Sequence, residues 1–351
     1  MSRRIIQWAT GEVGALCLKE IIRRPELELA GLYVYSDQKK GKDAGEIVGV
    51  EPTGVIATDD RDAILATDAD CVVYTPLAAS MDQLDDDIVA LLSSGKNVIT
   101  TAGYFAPEFR GTAVKGRLER ACQAGNASLL GTGIEPGFMF DRVAATLTGM
   151  CTDIEHIRLV EIVDATEHPA AMMLKDALGI GKPPGEVTAD TPYGQYWAAF
   201  FSEMVTATAR PLGLTIDRIE TGLEVAVASR DLDIVIGHVP AGSVVGNLHT
   251  ATAIVDGKPM IRAEIYWFVE RGVGGWPVPE DRYRWEIEIE GRPSLRTVLD
   301  PMPSLKPGAP ALDPAFVGTA ATVVNAISAV CDAAPGVLHA PVFAPWSRSG
   351  S

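Results

Sequence analysis

The first residues whose types and spacing could do chemistry form a glycine turn near the start of the chain, Ala9-Thr10-Gly11-Glu12-Val13-Gly14. Its pattern is Ala-x-Gly-x-x-Gly, with Ala9 where a dinucleotide-binding turn usually has its first glycine. In such a turn the backbone N–H groups of a helix N-terminus contact a pyrophosphate. We therefore predict that Gly11, Glu12 and Val13 bind the pyrophosphate of a nicotinamide dinucleotide. The alternative is an ordinary strand-to-helix turn that needs glycine only for its backbone conformation.

The residues after the second predicted strand bear on the choice between NADP and NAD. Ser36 stands at the expected end of that strand, and Lys39 and Lys40 follow it. An acidic residue at this position binds the ribose 2′-hydroxyl of NAD, whereas positive charge favours the 2′-phosphate of NADP. We predict that Ser36 and Lys39 contact the adenosine ribose and that the cofactor is NADP. NAD stays possible because of Asp37, and the lysines would also suit a solvated turn.

Three loops are expected at the carboxyl ends of strands, where open α/β sheets bind ligands: residues 75–77, 101–108 and 131–137. The second and third are rich in Gly and Pro, and each contains a carboxylate. The residues expected to flank the nicotinamide are Thr75, Pro76, Thr101 and Gly103.

Glu108 is the candidate catalytic residue in the second loop. A carboxylate in an apolar cleft has a raised pKa and can exchange protons near neutral pH. However, Glu after Pro107 is also an ordinary first-turn residue of a helix, favoured there by the helix dipole. The residues alone leave these two interpretations equally supported.

The elements that must position these groups alternate between strand and helix in the first third of the chain. Short apolar runs predict strands, and apolar residues at helical spacing predict helices between them. This alternation indicates parallel βαβ units, and therefore a Rossmann domain over residues 1–137. The predicted strands are 5–9, 27–35, 70–76, 97–100 and 127–130, and the predicted helices are 13–24, 82–94 and 114–124.

The pattern changes after residue 137. Trp285, Ile287 and Ile289 alternate with glutamates, which is typical of an antiparallel strand with one wet face. Residues 138–300 are predicted to form an α+β domain with a mixed, mostly antiparallel sheet. Residues 301–351 are predicted to be a linker and a C-terminal helix that packs on the first domain. The predicted strands are 154–166, 219–229, 232–239, 249–256, 260–270 and 283–290, the predicted helices are 138–150, 170–178, 193–209 and 315–334, and the linker is 299–314.

Charge and composition disfavour several classes of function. The net charge of −16 disfavours nucleic acid and anionic membranes as partners, and no apolar run is expected to cross a membrane. The five cysteines show no C-x-x-C spacing and the five histidines are dispersed, so no disulfide framework or metal site is expected. A reducing cytoplasm fits this cysteine usage best.

Several segments together carry a resemblance to a known family. They are the glycine turn, residues 24–31 (Arg-Pro-Glu-Leu-Glu-Leu-Ala-Gly), 41–45 (Gly-Lys-Asp-Ala-Gly), 131–137 (Gly-Thr-Gly-Ile-Glu-Pro-Gly) and 179–184 (Gly-Ile-Gly-Lys-Pro-Pro). The chain resembles the dihydrodipicolinate-reductase-like superfamily over nearly its whole length. Within it, the chain is most similar to the 2,4-diaminopentanoate dehydrogenases and the native amine dehydrogenases.

The resemblance implies a homodimer formed partly by the central domain. It also implies reductive amination, in which an aldehyde or ketone and ammonia form an imine that takes hydride from the nicotinamide. Glu108 matches the glutamate that handles the ammonia proton in the amine dehydrogenases. The chain departs from the family at Glu135, where Asn is common. Residues 161–176 also lack the paired histidines and Ser-Gly-Thr stretch of true dihydrodipicolinate reductases, which disfavours lysine biosynthesis.

The sequence therefore predicts an NADP-preferring amine dehydrogenase for a small apolar aldehyde or ketone. Two alternatives stay open: a carbonyl reductase that needs no ammonia, and a regulatory protein that binds NADP without turnover. Each candidate for the substrate pocket also suits a structural role, since lone histidines and aromatic stripes more often serve packing. These candidates are Phe138, Phe140, His168, Met172 and Tyr193.

Overall fold

The computed structural model describes residues 2–77 and 82–348. The chain divides into two compact units. Unit 1 combines Met1–Phe138 with Lys306–Ala340, and unit 2 combines Met139–Leu305 with Pro341–Ser351. Each unit contains a six-stranded sheet.

The regular elements are numbered in chain order. The strands are β1 (Arg3–Trp8), β2 (Leu27–Tyr33), β3 (Cys71–Tyr74), β4 (Asn97–Thr100), β5 (Ser128–Gly131), β6 (Asp153–Asp164), β7 (Arg218–Val227), β8 (Leu232–Ile234), β9 (Gly237–Val239), β10 (Val244–Val255), β11 (Lys258–Phe268), β12 (Tyr283–Arg292), β13 (Leu295–Leu299) and β14 (Gly336–Val337). The α-helices are α1 (Glu12–Arg23), α2 (Ala44–Val48), α3 (Arg61–Ala66), α4 (Asp82–Ser93), α5 (Thr112–Gly125), α6 (Ala144–Thr148), α7 (Pro192–Ala209) and α8 (Pro314–Cys331).

Unit 1 is built on a parallel sheet in the order β14-β5-β4-β3-β1-β2. Its central strands are short and almost wholly apolar, as expected for strands covered on both faces. All four residues of β3 are buried, for example. The predicted Rossmann architecture is confirmed.

Helix α8 returns to this sheet from the far end of the sequence. It contacts α1, and its buried side chains share a core cluster with Ile5, Ile21 and Ile99, which confirms the predicted return. With 18 residues and a mean hydropathy of 1.6, α8 has the length and composition of a membrane span. Its packing makes it a core helix of unit 1. The buried side chains of α8 are Ala320, Val323, Val324, Ile327 and Val330.

Unit 2 contains a mixed sheet in the order β13-β12-β6-β11-β10-β7. Only the β6–β11 pairing is parallel among these described strands, so the predicted mostly antiparallel sheet is confirmed. Helix α7 packs against β10, with further contacts to β7 and β11.

Several predicted boundaries are wrong. The single strand predicted at 232–239 is a hairpin of β8 and β9, because Gly237 has a φ of 109° that only glycine adopts readily. The helix predicted at 138–150 is present as one helical segment that begins with a π-helical turn, Met139–Val143, and continues as the short α6. The helix predicted at 170–178 is also present, over residues 171–177, but most of it is the π-helical turn Met173–Ala177. Strand β10 begins five residues before the predicted 249, and β2 ends at Tyr33 rather than 35.

A carboxyl group lies deep in unit 2. Glu161, on β6, is 5% exposed, and its Oε1 accepts a hydrogen bond of 3.0 Å from Trp267 Nε1. Burial raises its pKa from 4.5 to about 7, because removal from water penalises the charged form more than the indole N–H stabilises it. The folded protein therefore binds more protons than the unfolded chain between these two values. This group's contribution to stability is lost as the pH rises through about 7.

We expect Glu161→Gln to stabilise the protein relative to the wild type, and to do so more at pH 8 than at pH 4.5. The neutral amide keeps an oxygen for Trp267 and removes the cost of the buried charge, which is about 3 kcal/mol at roughly 1.4 kcal/mol per pKa unit. Thermal unfolding of both proteins at the two pH values measures the difference. An identical pH dependence for variant and wild type would contradict the raised pKa.

Candidate nucleotide and catalytic site

The glycine turn begins at the end of β1 and opens α1. Gly11 is the N-cap residue of α1, with no side chain capping the helix. A Cβ on Gly11 would meet no heavy atom within 4 Å. The first-turn N–H groups of a helix need a partner from outside the helix, and anions are favoured there by the dipole. This open turn fits a pyrophosphate.

Gly14 stands at a close contact of a different kind. A Cβ there would lie 2.4 Å from the carbonyl oxygen of Ala9 and 2.7 Å from Thr75 Oγ1. No side chain can occupy this space without moving the backbone. Gly14 therefore has the role of the last glycine of a dinucleotide turn, which lets the helix pack closely against the strands.

Ala9 takes up a glycine-like conformation, with a φ of 73°. The buried side chain of Gln7 supports it: Gln7 Nε2 donates to the carbonyl oxygen of Ala9 at 2.8 Å and to Thr75 Oγ1 at 3.0 Å. Thr75 Oγ1 lies 3.1 Å from the carbonyl oxygen of Trp8, to which it donates. Sequence reasoning missed Gln7, although a polar residue inside the apolar run 5–9 was a visible signal.

Of the two predicted adenosine-side residues, Lys39 contacts this turn. Lys39 Nζ donates to the carbonyl oxygen of Thr10 at 2.7 Å and to its Oγ1 at 3.1 Å. Ser36 is exposed and lies three residues beyond the end of β2, so it does not stand at the strand end as predicted. The ammonium of Lys40 instead pairs with Asp59, 2.5 Å away. Lys39 is therefore the lysine held against the glycine turn.

Glu108 lies in a 3-10 turn, Pro107–Arg110, after β4, and is half-buried. A buried ion pair fixes the end of this turn: Arg110 Nη1 and Nη2 donate to the two oxygens of Asp85 at 3.0 and 2.6 Å. Tyr104 also donates a hydrogen bond to Asp85, at 2.6 Å. The Arg110 guanidinium lies 5.4 Å from the centre of the Tyr104 ring. Glu108 is thus bracketed in sequence by two residues tied to α4.

The remaining nicotinamide-side candidates follow neighbouring strands of the same sheet. Thr75 and Pro76 follow β3, Thr101 and Gly103 follow β4, and residues 131–137 follow β5. Because β1, β3, β4 and β5 are adjacent and parallel, their carboxyl ends meet at one edge of the sheet. Unit 1 therefore brings the glycine turn and all three predicted loops together.

The five predicted substrate-pocket residues lie in different surroundings. Phe138 belongs to unit 1 and the other four to unit 2. Phe140 is completely buried and Met172 is 56% exposed. His168 is buried, with its Nδ1 accepting from the Ala170 N–H at 3.3 Å. Tyr193 lines a cavity of about 220 Å³ within unit 2, and it is the one predicted pocket residue on that cavity's wall.

No metal centre is found in the part of the chain that the structure describes. Within residues 2–77 and 82–348, no group of three or more His, Cys, Asp or Glu side chains could hold an ion. All five cysteines are free.

Unit 1 has the features of an NAD(P)-binding dehydrogenase domain. They are a parallel sheet, an open glycine turn supported by Gln7 and Thr75, and a fixed loop that contains Glu108. Residues 4–108 match the family model described as dihydrodipicolinate reductase, N-terminus. Residues 138–342 match the model described as 2,4-diaminopentanoate dehydrogenase C-terminal domain. The chain belongs to the family of the amine dehydrogenases and 2,4-diaminopentanoate dehydrogenases, as the resemblance predicted.

Individual relatives agree with this assignment. The chain is 30% identical to an amine dehydrogenase of Streptomyces virginiae in an alignment of 319 positions that covers 84% of each chain. It is 26% identical to a 2,4-diaminopentanoate dehydrogenase of Acetoanaerobium sticklandii in an alignment of 271 positions that covers 75% of this chain and 70% of the relative. Its fold is similar to that of an amine dehydrogenase from Mycobacterium smegmatis, with a TM-score of 0.81 and 20% identity over 96% of this chain and 95% of that one.

The two glycines of the turn give a matched pair of variants. We expect Gly14→Ala to lower the free energy of unfolding by about 1–3 kcal/mol, because its methyl group overlaps the Ala9 carbonyl. We expect Gly11→Ala to fold as the wild type and to bind NADPH about tenfold more weakly, because its methyl group points into open space that the pyrophosphate needs. Thermal unfolding and fluorescence titration measure the two effects. Unchanged NADPH affinity in the well-folded Gly11 variant would show that the phosphates bind elsewhere.

Proposed function

We propose that this protein is an NADP-preferring amine dehydrogenase. It would form an amine from a small apolar aldehyde or ketone and ammonia, and would run the oxidative deamination in reverse. The observation that carries the proposal is the placement of Glu108 in a fixed loop at the same sheet edge as the glycine turn. The family supports this type of reaction, since the two relatives described above are named as an amine dehydrogenase and a 2,4-diaminopentanoate dehydrogenase.

Bound nicotinamide supplies the hydride that reduces the substrate carbon. Glu108 would handle the protons that precede this step. As a carboxylate it takes a proton from ammonium, which frees the nitrogen lone pair to add to the carbonyl carbon. The protonated Glu108 then returns the proton to the hydroxyl of the carbinolamine, which leaves as water and gives the iminium ion.

The rigid surroundings of Glu108 support this role. General acid–base catalysis needs a group held within hydrogen-bond reach of the reacting atom. The Asp85 carboxylate, bound by both Arg110 and Tyr104, holds the chain on either side of Glu108. Glu135, in the third loop, is also half-buried.

The preference for NADP is supported by Lys39. Its ammonium is held at Thr10, in the glycine turn, where a positive charge can attract a phosphate on the adenosine ribose. The homodimer implied by the family resemblance stays a prediction.

We expect Glu108→Gln to reduce kcat/KM for reductive amination by about 100-fold or more, because the amide cannot transfer the ammonium proton. NADPH affinity should be unchanged. Glu26→Gln is the matched control, since Glu26 is exposed and precedes β2 at the opposite end of the strands. Steady-state assays with ammonium and a panel of short aldehydes and ketones measure the effect. Full activity of the Glu108 variant would remove this residue from the mechanism.

The same assay separates the proposal from its alternatives. Carbonyl-dependent NADPH oxidation should require ammonium. Equal rates without ammonium would identify a carbonyl reductase, and NADPH binding without turnover across the panel would identify a non-catalytic binder.

The choice of cofactor can be tested with neighbouring lysines. We expect Lys39→Met to raise KM for NADPH about tenfold or more and to change KM for NADH much less, because a charge-assisted contact with the 2′-phosphate is lost. Lys40→Met should leave both values within about twofold of the wild type, since the ammonium of Lys40 is engaged by Asp59. An unchanged ratio of the two KM values in the Lys39 variant would show that Lys39 does not select the cofactor.

A further inference from the structure

Unit 2 contains a cavity whose wall includes Tyr193 but neither Glu108 nor any of the residues predicted to flank the nicotinamide. It has a volume of about 220 Å³ and lies between the segment after the π-helical turn 173–177, the first turns of α7, and strands β7 and β10. This volume corresponds to about seven water molecules at the density of liquid water. It is smaller than the roughly 300–1,000 Å³ of pockets that bind drug-sized ligands. An occupant would therefore be small.

Two buried polar side chains on β10 line this cavity. Asn247 and His249 are 1% and 4% exposed, and they lie two residues apart on the same face of the strand. Asn247 Nδ2 donates to the carbonyl oxygen of Leu178 at 2.7 Å, which sets the orientation of the amide. Within residues 2–77 and 82–348, neither Asn247 Oδ1 nor His249 Nε2 has a hydrogen-bond partner.

Unsatisfied polar atoms at such depth are uncommon, because each costs about 1–3 kcal/mol. Two of them on the wall of one cavity point to a ligand that satisfies both. Asn247 Oδ1 can only accept a hydrogen bond, whereas a neutral imidazole nitrogen donates or accepts according to its tautomer. A hydroxyl or a primary amide, which both donates and accepts, matches this pair.

The surroundings of His249 favour a neutral ligand. Its ring lies against Trp197 and Phe201, with ring centres 6.0 and 5.5 Å away. Burial lowers the pKa of His249 to about 3, so the ring is uncharged at neutral pH. An ion placed beside Asn247 and His249 would lose its hydration without gaining an opposite charge.

The charged residues on the cavity wall are all at least partly exposed to solvent. Asp176 and Glu186 are exposed and Lys182 is half-buried. They can keep contact with water, whereas Asn247 and His249 are buried. The wall is also well fixed: the N–H of Gly181 donates to the Val244 carbonyl, and the Val244 N–H donates to the Lys182 carbonyl, at 2.8 and 2.9 Å.

We propose that this cavity is a binding site for a small neutral molecule that carries a primary amide or a hydroxyl group, recognised by Asn247 and His249. The site lies wholly within unit 2, and its occupation requires neither cofactor nor turnover.

Three probes of nearly equal size and different charge test the proposal on the full-length protein: propanamide, propanoate and propylammonium. Saturation-transfer NMR should show saturable binding of propanamide and at least tenfold weaker binding of the two ions. Asn247→Leu and His249→Phe should each weaken propanamide binding about tenfold or more, because each removes a buried hydrogen bond. His238→Phe is the matched control, since His238 is exposed and does not line the cavity.

A measurement on the wild type covers the case in which a buried variant fails to fold. Propanamide should shift the side-chain resonances of His249 and leave those of His238 unchanged. Equal binding of the ions, retained amide binding in both folded variants, or His249 resonances that do not respond to propanamide would each overturn the proposal. In the last case the cavity holds water only.

Discussion

The carbonyl oxygen of Ala9 is the point on which the nucleotide site depends. Gln7 donates a hydrogen bond to it, and Gly14 packs against it so closely that no side chain fits between. Thr75, directly after β3, accepts a hydrogen bond from the same Gln7 amide. An alanine with a positive φ costs about 1 kcal/mol, and this network offsets that cost. The turn can therefore keep its shape without the usual first glycine.

The acidic loop depends on a second buried interaction. A buried ion pair contributes little net stability, because desolvation of the charges cancels much of their attraction. The pair of Asp85 and Arg110 is therefore better understood as a positional device. It ties the turn that contains Glu108 to α4, and Tyr104 adds a directed hydrogen bond to the same carboxylate. Removal of either charged partner would leave an uncompensated charge in the interior.

Local patterns predicted the parallel half of the fold well. Strand β4 was predicted residue for residue, because a short apolar run between polar residues has few other interpretations. The glycine turn and the loop with Glu108 were also found from the sequence. The hairpin of β8 and β9 was missed, since the whole run 232–239 has strand-like composition and only Gly237 marks the reversal. The short strands β13 and β14 were missed because they acquire their identity by pairing with neighbours.

The side chains that shape the sites were harder to predict than the elements. The polar side chains of the two sites contact residues that are distant in sequence, and no spacing rule connects them with those partners. They are Gln7, Asp85, Asn247 and His249. Glu108 was identified through the family resemblance, since its residue type and position suited a helix start equally well. Periodicity reports which face of an element is buried, whereas a polar contact between distant elements depends on their packing.

The packing of α8 against unit 1 has a consequence for the folding of this protein during its synthesis. Five side chains of α8 complete a core cluster whose other members come from the first 130 residues. Part of one apolar face of the parallel sheet, beside α1, therefore stays uncovered until the residues of α8 have been synthesised. Unit 2, whose sheet is encoded without interruption, has all of its strands available first. The first strands of unit 1 are thus synthesised before those of unit 2, but the core of unit 1 can be completed only after the sheet of unit 2.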